Sequence, residues 1–367
     1  MILRKFGFTI AAVALVAAAG IYGQAGAQAA AQAGASAACN TCSENAKKDS
    51  SFGNSPNSGQ NQVAVSGTGL NTAGLVGGLA GGAASGGGGG GVGVTGDFKR
   101  FALKELGGTG AAAAPGGKNW NGWVAYSRSE IGYNFAPLNS SGRVNLYLGG
   151  IDYTFDNNVV FGVAVAADRT NVDLNFSGGK LDGKGVTIAP YIGYAFTPKL
   201  AIDGTLGIGR TDLNTTVGAV AGSTKSDRGL GSVGLTYREA IGKWQLTGRA
   251  AFLAVSDKIK AYTRSDGVFV PESKIDVSQI RLYGQVAYDL GTFTPYAGVS
   301  YINDVRHPNQ APVGGVVAAN DRDSWTPAIG IRFKTDGTVY GSIQYSSERG
   351  RSEVKNNQLL LNLGLRF

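Results

Sequence analysis

The sequence predicts an all-β fold, a 12-stranded antiparallel up-and-down transmembrane β-barrel preceded by a short N-terminal helix. From Trp120 onward, segments recur in which apolar residues alternate with small or polar ones, the period of a β-strand. Tight turns and longer polar connections alternate strictly between these segments, and the last segment ends on Phe367. Strands that cross a bilayer must close into a barrel, because no open sheet edge survives in hydrocarbon.

The first residues have the features of a secretory signal peptide, which we expect over residues 1–27. Met1–Lys5 carries positive charge, an uncharged apolar run continues to about Ala19, and Ala25–Ala29 offers small-residue cleavage positions. No later stretch is apolar over the length that a spanning helix needs. If the exported chain enters a membrane, we therefore expect it to do so with strands.

Residues 28–96 form a low-complexity region rich in Gly, Ala, Ser and Asn. We expect it to be flexible, because it cannot bury enough apolar surface to offset the entropy of ordering. Cys39 and Cys42 have a redox-type spacing without a thioredoxin-like pattern around them. An exported protein more often holds such a pair as a small closed disulfide.

A short helix and linker are predicted over residues 97–118. Asp97 can cap the N-terminus, and Gly107 suits the left-handed position after the last turn. At 1.5 Å per residue the helix is roughly 15 Å long, about half of a bilayer core. The helix residues singled out for a pore position are Asp97, Phe98, Phe101, Lys104, Glu105 and Leu106.

Twelve strands are predicted in the barrel region, residues 119–367. They are Trp120–Ile131, Arg143–Phe155, Val159–Asp168, Lys184–Phe196, Leu200–Asp212, Leu230–Arg238, Trp244–Ser256, Val277–Asp289, Thr292–Tyr301, Ser324–Phe333, Thr338–Ser347 and Gln358–Phe367. Short turns follow every second strand, and the longer connections include residues 171–183, 214–227, 257–276 and 303–323. This alternation predicts short periplasmic turns at one end and exterior loops at the other.

Aromatic residues gather near the short turns, as an interfacial girdle requires. They are Phe155, Phe196, Tyr237, Trp244, Tyr288, Phe293, Phe333, Tyr340 and Phe367. The opposite strand parity is dominated by Gly, Ala, Ser and Thr, which suits a lumen better than the charged face of a soluble sheet. The charges assigned to this lumen are Arg238, Arg249, Arg281, Arg332, Asp203 and Asp289.

Two hairpins resemble those of autotransporter β-domains, the translocators of type V secretion. Gly149–Gly162, continued by Val163–Asp168, resembles the early hairpin of that family. Tyr191–Tyr194 with Leu200–Gly207 is similar to the next one, and Gly364–Phe367 matches the terminus. The resemblance covers about residues 97–367 and implies a barrel in the bacterial outer membrane.

The last strand resembles the assembly signal of outer-membrane barrels through Leu361, Leu363, Leu365 and Phe367. The resemblance implies outer-membrane lipid, the barrel-assembly machinery and periplasmic chaperones as partners, with a monomeric barrel. In that family a helix trailing the exported passenger threads the barrel. Residues 97–106 stand where that helix would be, and a periplasmic or loop helix is the alternative.

The function predicted from the resemblance is a translocator-like barrel that anchors and displays a short N-terminal segment. The alternative is a barrel without a passenger, acting as a pore, surface antigen or adhesin through its exterior loops. The sequence lacks a Ser/His/Asp set, and its only histidine is His307. We therefore predict no enzyme and assign no catalytic, cofactor-binding or metal-binding residue. The basic residues behind the net charge of +8 are scattered, so no nucleic-acid partner is predicted.

Overall fold

Twelve antiparallel strands close into a barrel, as predicted. The protein is represented by a computed structural model, which describes residues 119–134, 139–155, 158–175, 177–306, 321–335 and 339–367. The barrel strands are β1 Trp120–Tyr133, β2 Ser140–Thr154, β3 Val159–Leu174, β4 Gly179–Ala195, β5 Leu200–Val217, β6 Val220–Ile241, β7 Trp244–Ile259, β10 Ser273–Tyr288, β11 Phe293–Arg306, β12 Asp323–Lys334, β13 Val339–Ser347 and β14 Val354–Arg366. A small hairpin of β8 (Tyr262–Thr263) and β9 (Phe269–Val270) lies between β7 and β10.

Several predicted features lie outside the described residues. These are the signal peptide, the flexible region with Cys39 and Cys42, and the helix with its linker up to residue 118. Within the described ranges, no helix has the length and apolar character needed to cross a membrane.

The barrel closes where the first and last strands meet. Strand β1 pairs with β14 from Asn121 opposite Arg366 to Tyr133 opposite Val354. Reciprocal backbone hydrogen bonds between Trp120 and Phe367, at 3.0 and 3.2 Å, continue this ladder beyond the strand ends. The sheet therefore has no open edge, which a bilayer requires.

The outer face of the barrel is an apolar band. It runs from Val186 on β4 to Phe196 just after this strand, and at about 3.3 Å per residue and a tilt of about 45° it spans about 23 Å. On β5, Leu206 and Ile208 are each 71% exposed. This height matches the hydrocarbon core that an outer-membrane barrel crosses.

Aromatic rings border the band at the turn side. Those exposed there are Trp120, Phe155, Phe196, Trp244, Phe293 and Phe367. Tyr340, predicted to belong to this girdle, instead faces the lumen and is 8% exposed. Its position on β13 has the inward parity, and its hydroxyl donates a hydrogen bond to Asn121 Oδ1 at 2.9 Å.

A second set of outward aromatic residues borders the band at the loop side. It consists of Tyr126, Tyr147, Tyr301, Trp325 and Tyr345, spread over β1, β2, β11, β12 and β13. The rings of Tyr301 and Trp325 lie 4.9 Å apart. The two girdles together mark the two interfaces of the bilayer.

The predicted long connections at residues 171–183 and 214–227 are wrong, because most of these residues are strand. Strand β3 continues to Leu174 and β4 begins at Gly179. Strands β5 and β6 are joined by a two-residue turn in which Gly218 has a φ of 55°. We name residues 170–183, 211–226 and 259–275 the loop-side extension, because they continue β3–β7 and β10 past the band.

The apolar parity changes sides where the extension begins. On β5, Leu206 and Ile208 point outward, whereas Leu213 points inward and is 1% exposed. Arg210 lies between them on the outer face. The extension thus has a charged outer face and an apolar inner face, as a sheet in water would.

Large inward side chains lie over glycines of neighbouring strands. A Cβ atom at Gly364 would come within 2.0 Å of the Tyr340 ring, and one at Gly150 within 2.4 Å of Trp123. These positions need glycine because a ring covers the backbone there. This close approach explains part of the high glycine content of the sequence.

Candidate functional site in the barrel lumen

A hydrogen-bonded network lines the turn-side half of the lumen near the barrel closure. Trp123 Nε1 donates to the Tyr191 hydroxyl at 2.9 Å, and that hydroxyl donates to Asp152 Oδ2 at 2.8 Å. Asn121 Nδ2 also donates to Asp152 Oδ2, at 2.9 Å. The network connects β1, β2 and β4, and Tyr340 extends it to β13. It fixes the wall on both sides of the β1–β14 seam.

Arg249 and Asp203 form a matched ion pair in the same half. Arg249 Nη2 donates to Asp203 Oδ2 at 2.9 Å, and Arg249 Nη1 binds the other carboxylate oxygen. Arg249 Nη1 also donates to Thr236 Oγ1 at 2.8 Å. The guanidinium lies over Gly234, where a Cβ atom would come within 2.2 Å of it. The charge of Arg249 is therefore balanced.

Arg238 and Arg332 are not balanced in this way. Arg238 is 2% exposed, and none of its guanidinium nitrogens has a hydrogen-bond partner among the described residues. Arg332 is stacked on the Tyr296 ring, with its guanidinium carbon 4.6 Å from the ring centroid. Its Nε and Nη2 atoms likewise lack a partner in the described ranges. These two residues give this wall excess positive charge.

The two remaining predicted lumen charges, Arg281 and Asp289, lie away from Arg238 and Arg332. Arg281 is on the inward parity of β10, and its Nη2 donates to Gln279 Oε1 at 2.8 Å. Asp289 follows β10 at the turn-side rim, where it accepts a hydrogen bond from the Gly291 N–H at 2.7 Å. Asp289 therefore belongs to the rim and not to the cluster around Arg238.

The loop-side half of the lumen holds a buried ion triad that the sequence analysis missed. Arg228 Nη1 lies 3.1 Å from Asp168 Oδ1, and Arg228 Nε lies 3.0 Å from Asp257 Oδ1. All three side chains are at most 1% exposed. The Asp168 carboxylate lies over β4, where a Cβ atom at Gly185 would come within 2.4 Å of it, and Arg228 reaches this carboxylate from β6. The sequence placed Arg228 and Asp257 in or beside loops, so their common burial was not visible.

Apolar residues surround this triad and point inward. The cluster consists of Val172, Leu174, Leu181, Leu213, Leu230, Leu253, Val255, Ile259, Ile275 and Val277. The lumen was predicted to be dominated by Gly, Ala, Ser and Thr with a few charges, and this patch of large apolar residues corrects that prediction. The inner wall is thus basic around Arg238 and Arg332 at the turn side, whereas the loop-side half holds the Arg228 triad, the apolar patch and a second ion cluster of Arg351 with Asp304 and Glu348. Another apolar cluster, which includes Leu146, Leu148 and Leu360, lies on the inner faces of β2 and β14.

The inward groups support charge recognition better than bond chemistry. Within the described ranges, no three Asp, Glu, His or Cys side chains converge on a point where they could hold a metal ion. The residues of the predicted assembly signal face outward instead: Leu361, Leu363, Leu365 and Phe367 are 36–53% exposed.

A closed antiparallel barrel with an apolar outer band and a charged lumen defines the class of outer-membrane β-barrels. The family model of the autotransporter beta-domain matches residues 124–346. The chain therefore belongs to the autotransporter beta-domain family, and the resemblance stated from the sequence is confirmed.

Three solved structures share the fold. The translocator domain of the autotransporter NalP from Neisseria meningitidis has a TM-score of 0.58 at 11% identity, covering 69% of this chain and 90% of its own. The beta domain of the Bordetella autotransporter Brka has a TM-score of 0.56 at 15% identity, covering 67% and 99%. The transport unit of the autotransporter AIDA-I from Escherichia coli has a TM-score of 0.56 at 10% identity, covering 72% and 97%. No curated protein matches the sequence.

Proposed function

We propose that this barrel anchors residues 28–96 in the outer membrane and displays them at the cell surface. The observation that carries the proposal is the membership of the autotransporter beta-domain family. Export by a signal peptide and type V secretion are part of the same proposal. The barrel-assembly machinery and periplasmic chaperones are its proposed partners, acting on the terminal strand.

The position of the chain entry supports the route through the lumen. Strand β1 begins with Trp120 at the same end as Phe367 and the short turns. An N-terminal segment that reaches the exterior must therefore cross the membrane before β1. The lumen offers a polar turn-side wall for this crossing, whereas the outer face is apolar.

The display can be tested with an epitope inserted after Cys42 in the full chain. Protease added to intact cells should remove this epitope and leave the folded barrel. A matched epitope at Gly267, in the exposed turn of the β8–β9 hairpin, should also be cleaved. An epitope at Asn158, in the turn between β2 and β3, should be protected. If the epitope at Cys42 is protected while the one at Gly267 is cleaved, display is refuted and the barrel orientation stands.

A second candidate function is a passenger-less pore, surface antigen or adhesin. The unbalanced Arg238 and Arg332 favour an anion-conducting lumen. In the exterior hairpin, a hydrogen bond from Arg264 lowers the pKa of Asp266, so this turn stays charged over a wide pH range. Planar-bilayer conductance with and without residues 97–118 separates the two functions, since a pore should conduct in both forms. No current after the removal would argue against the pore.

A further inference from the structure

In the turn-side half of the lumen lies a group of buried donors for which the described residues provide no hydrogen-bond acceptor. It comprises all three guanidinium nitrogens of Arg238, Nε and Nη2 of Arg332, and Nε2 of Gln285. These residues are 2%, 8% and 6% exposed, respectively. All of these nitrogen atoms are N–H donors, so a group that binds them must provide hydrogen-bond acceptors.

The three side chains project from the inner faces of β6, β10 and β12. Arg238 on β6 and Gln285 on β10 are both opposite Thr247 of β7, which places them in one row. Gln285 Oε1 accepts a hydrogen bond from the Tyr283 hydroxyl at 2.6 Å, which fixes the amide and leaves its Nε2 for another partner. Stacking on Tyr296 similarly fixes the plane of the Arg332 guanidinium.

The surrounding charges do not neutralise this group. Arg332 and Arg249, both cations, lie close enough to Arg238 to repel its charge. Asp203 already accepts two hydrogen bonds from Arg249. An unpaired buried guanidinium is strongly unfavourable, and a bound anion would supply both charge and acceptors.

We propose that Arg238, Arg332 and Gln285 form a binding site for a carboxylate or phosphate group. A planar guanidinium recognises these oxyanions with two parallel hydrogen bonds, and a preoriented amide adds a third donor. The site lies on the inner wall of the barrel, near the end at which the chain enters β1.

Two sources could provide such an oxyanion. One is a soluble anion that enters the lumen. The other is a carboxylate of this chain. Asp97 and Glu105 are the two acidic residues that most closely precede β1 in the sequence. The site itself does not depend on the proposed display function, and only the second source rests on it.

The experiment is a thermal titration of the folded full chain in detergent. Tryptophan fluorescence gives the midpoint of unfolding while inorganic phosphate replaces sodium chloride at constant ionic strength. With a soluble source, phosphate should raise the midpoint by about 2–4 °C. The Arg238→Gln/Arg332→Gln variant should lose this rise. Arg210→Gln, an exposed arginine on the outer face of β5, should keep it.

An internal carboxylate gives a different pattern. The wild-type chain then does not respond to phosphate, whereas the Asp97→Asn/Glu105→Gln variant melts lower and gains a phosphate response. The variant Gln285→Leu keeps both arginines and should reduce the response in whichever chain shows it. The proposal is overturned if neither chain responds, or if the double arginine variant responds as its parent does. A phosphate response with a failed display experiment leaves the anion site standing.

Discussion

The bilayer-spanning part of the barrel and its loop-side extension use the same strands with opposite faces. Between the two girdles, apolar side chains point outward, as Ile192 does on β4. In the extension they point inward, as Leu181 does on the same strand. A strand that keeps its backbone pairing while its apolar parity changes by one residue has crossed from lipid into water. The switch locates the bilayer edge at the outward charges Lys184 and Arg210.

The difference also concerns the interior. The apolar cluster and the ion triad lie where the extension meets the spanning strands, so the inside of the barrel there resembles the core of a soluble protein. The turn-side lumen instead carries arginines, amides and tyrosines. Substitutions of similar chemistry should therefore have different costs in the two regions.

The largest effect is expected for Arg228→Met. The substitution leaves Asp168 and Asp257 buried without their cation, which costs about 3–5 kcal/mol. The temperature at which the folded, faster-migrating gel band disappears should fall accordingly. Arg210→Gln removes an exposed, solvent-screened pair with Asp227 and should leave this temperature nearly unchanged. Equal effects of the two variants would show that water reaches the triad.

Leu181→Ala should destabilise the barrel by about 2–5 kcal/mol, because it opens a cavity in the apolar cluster. The matched variant Leu206→Ala changes an outward side chain whose place lipid can fill, so its cost should be smaller. Urea unfolding from detergent, followed by tryptophan fluorescence, measures both. A larger loss for Leu206→Ala would contradict an apolar core in the extension.

An arginine on the outer face should discriminate the two regions directly. Ile192→Arg places a charge near the bilayer midplane and should cost about 2–4 kcal/mol. Thr216→Arg places the same charge on the outer face of the extension, where surface substitutions change stability by about 0.5 kcal/mol or less. Folding equilibria in lipid vesicles provide the comparison. A costly Thr216→Arg would mean that lipid covers the extension too.

A smaller effect is expected from filling the space below an inward ring. Gly364→Ala forces the Tyr340 ring to move and should cost about 1–3 kcal/mol. Gly248→Ala adds the same methyl group where no atom lies within 4 Å, so it should be near neutral. The fraction of heat-modifiable protein in the membrane measures the folding of both variants. Similar losses for the two would show that the Tyr340 ring does not make glycine necessary at position 364.

The strand count, order and closure could be predicted because lipid imposes a period-two pattern on every spanning segment. The extension could not be recognised with the same rule. Val172 and Leu174 alternate with Asn171 and Asp173, but on the parity opposite to Phe161 and Val165. A strand predicted from apolar residues at every second position therefore ends at the bilayer edge, where these residues change to the other face. The rest of the strand is then predicted as a loop.

The lumen was predictable only in part. Arg238, Arg249 and Arg332 alternate with outward apolar residues, so their inward orientation followed from the strand period. Which arginine has a carboxylate partner did not follow, because Arg249 and Asp203 are separated by a whole strand. The contact of Arg228 with Asp168 depends on Gly185, whose alignment with Asp168 is set by strand register.

The most direct test of the account is lipid quenching along β5. Single cysteines replace Thr205, Ile208 or Asn214 in a chain carrying Cys39→Ser and Cys42→Ser, and each is labelled with a fluorophore. We expect strong quenching by brominated acyl chains at position 208 and weak quenching at positions 205 and 214. Equal quenching at 208 and 214, or stronger quenching at 205 than at 208, would show that the lipid-facing side of β5 is assigned wrongly.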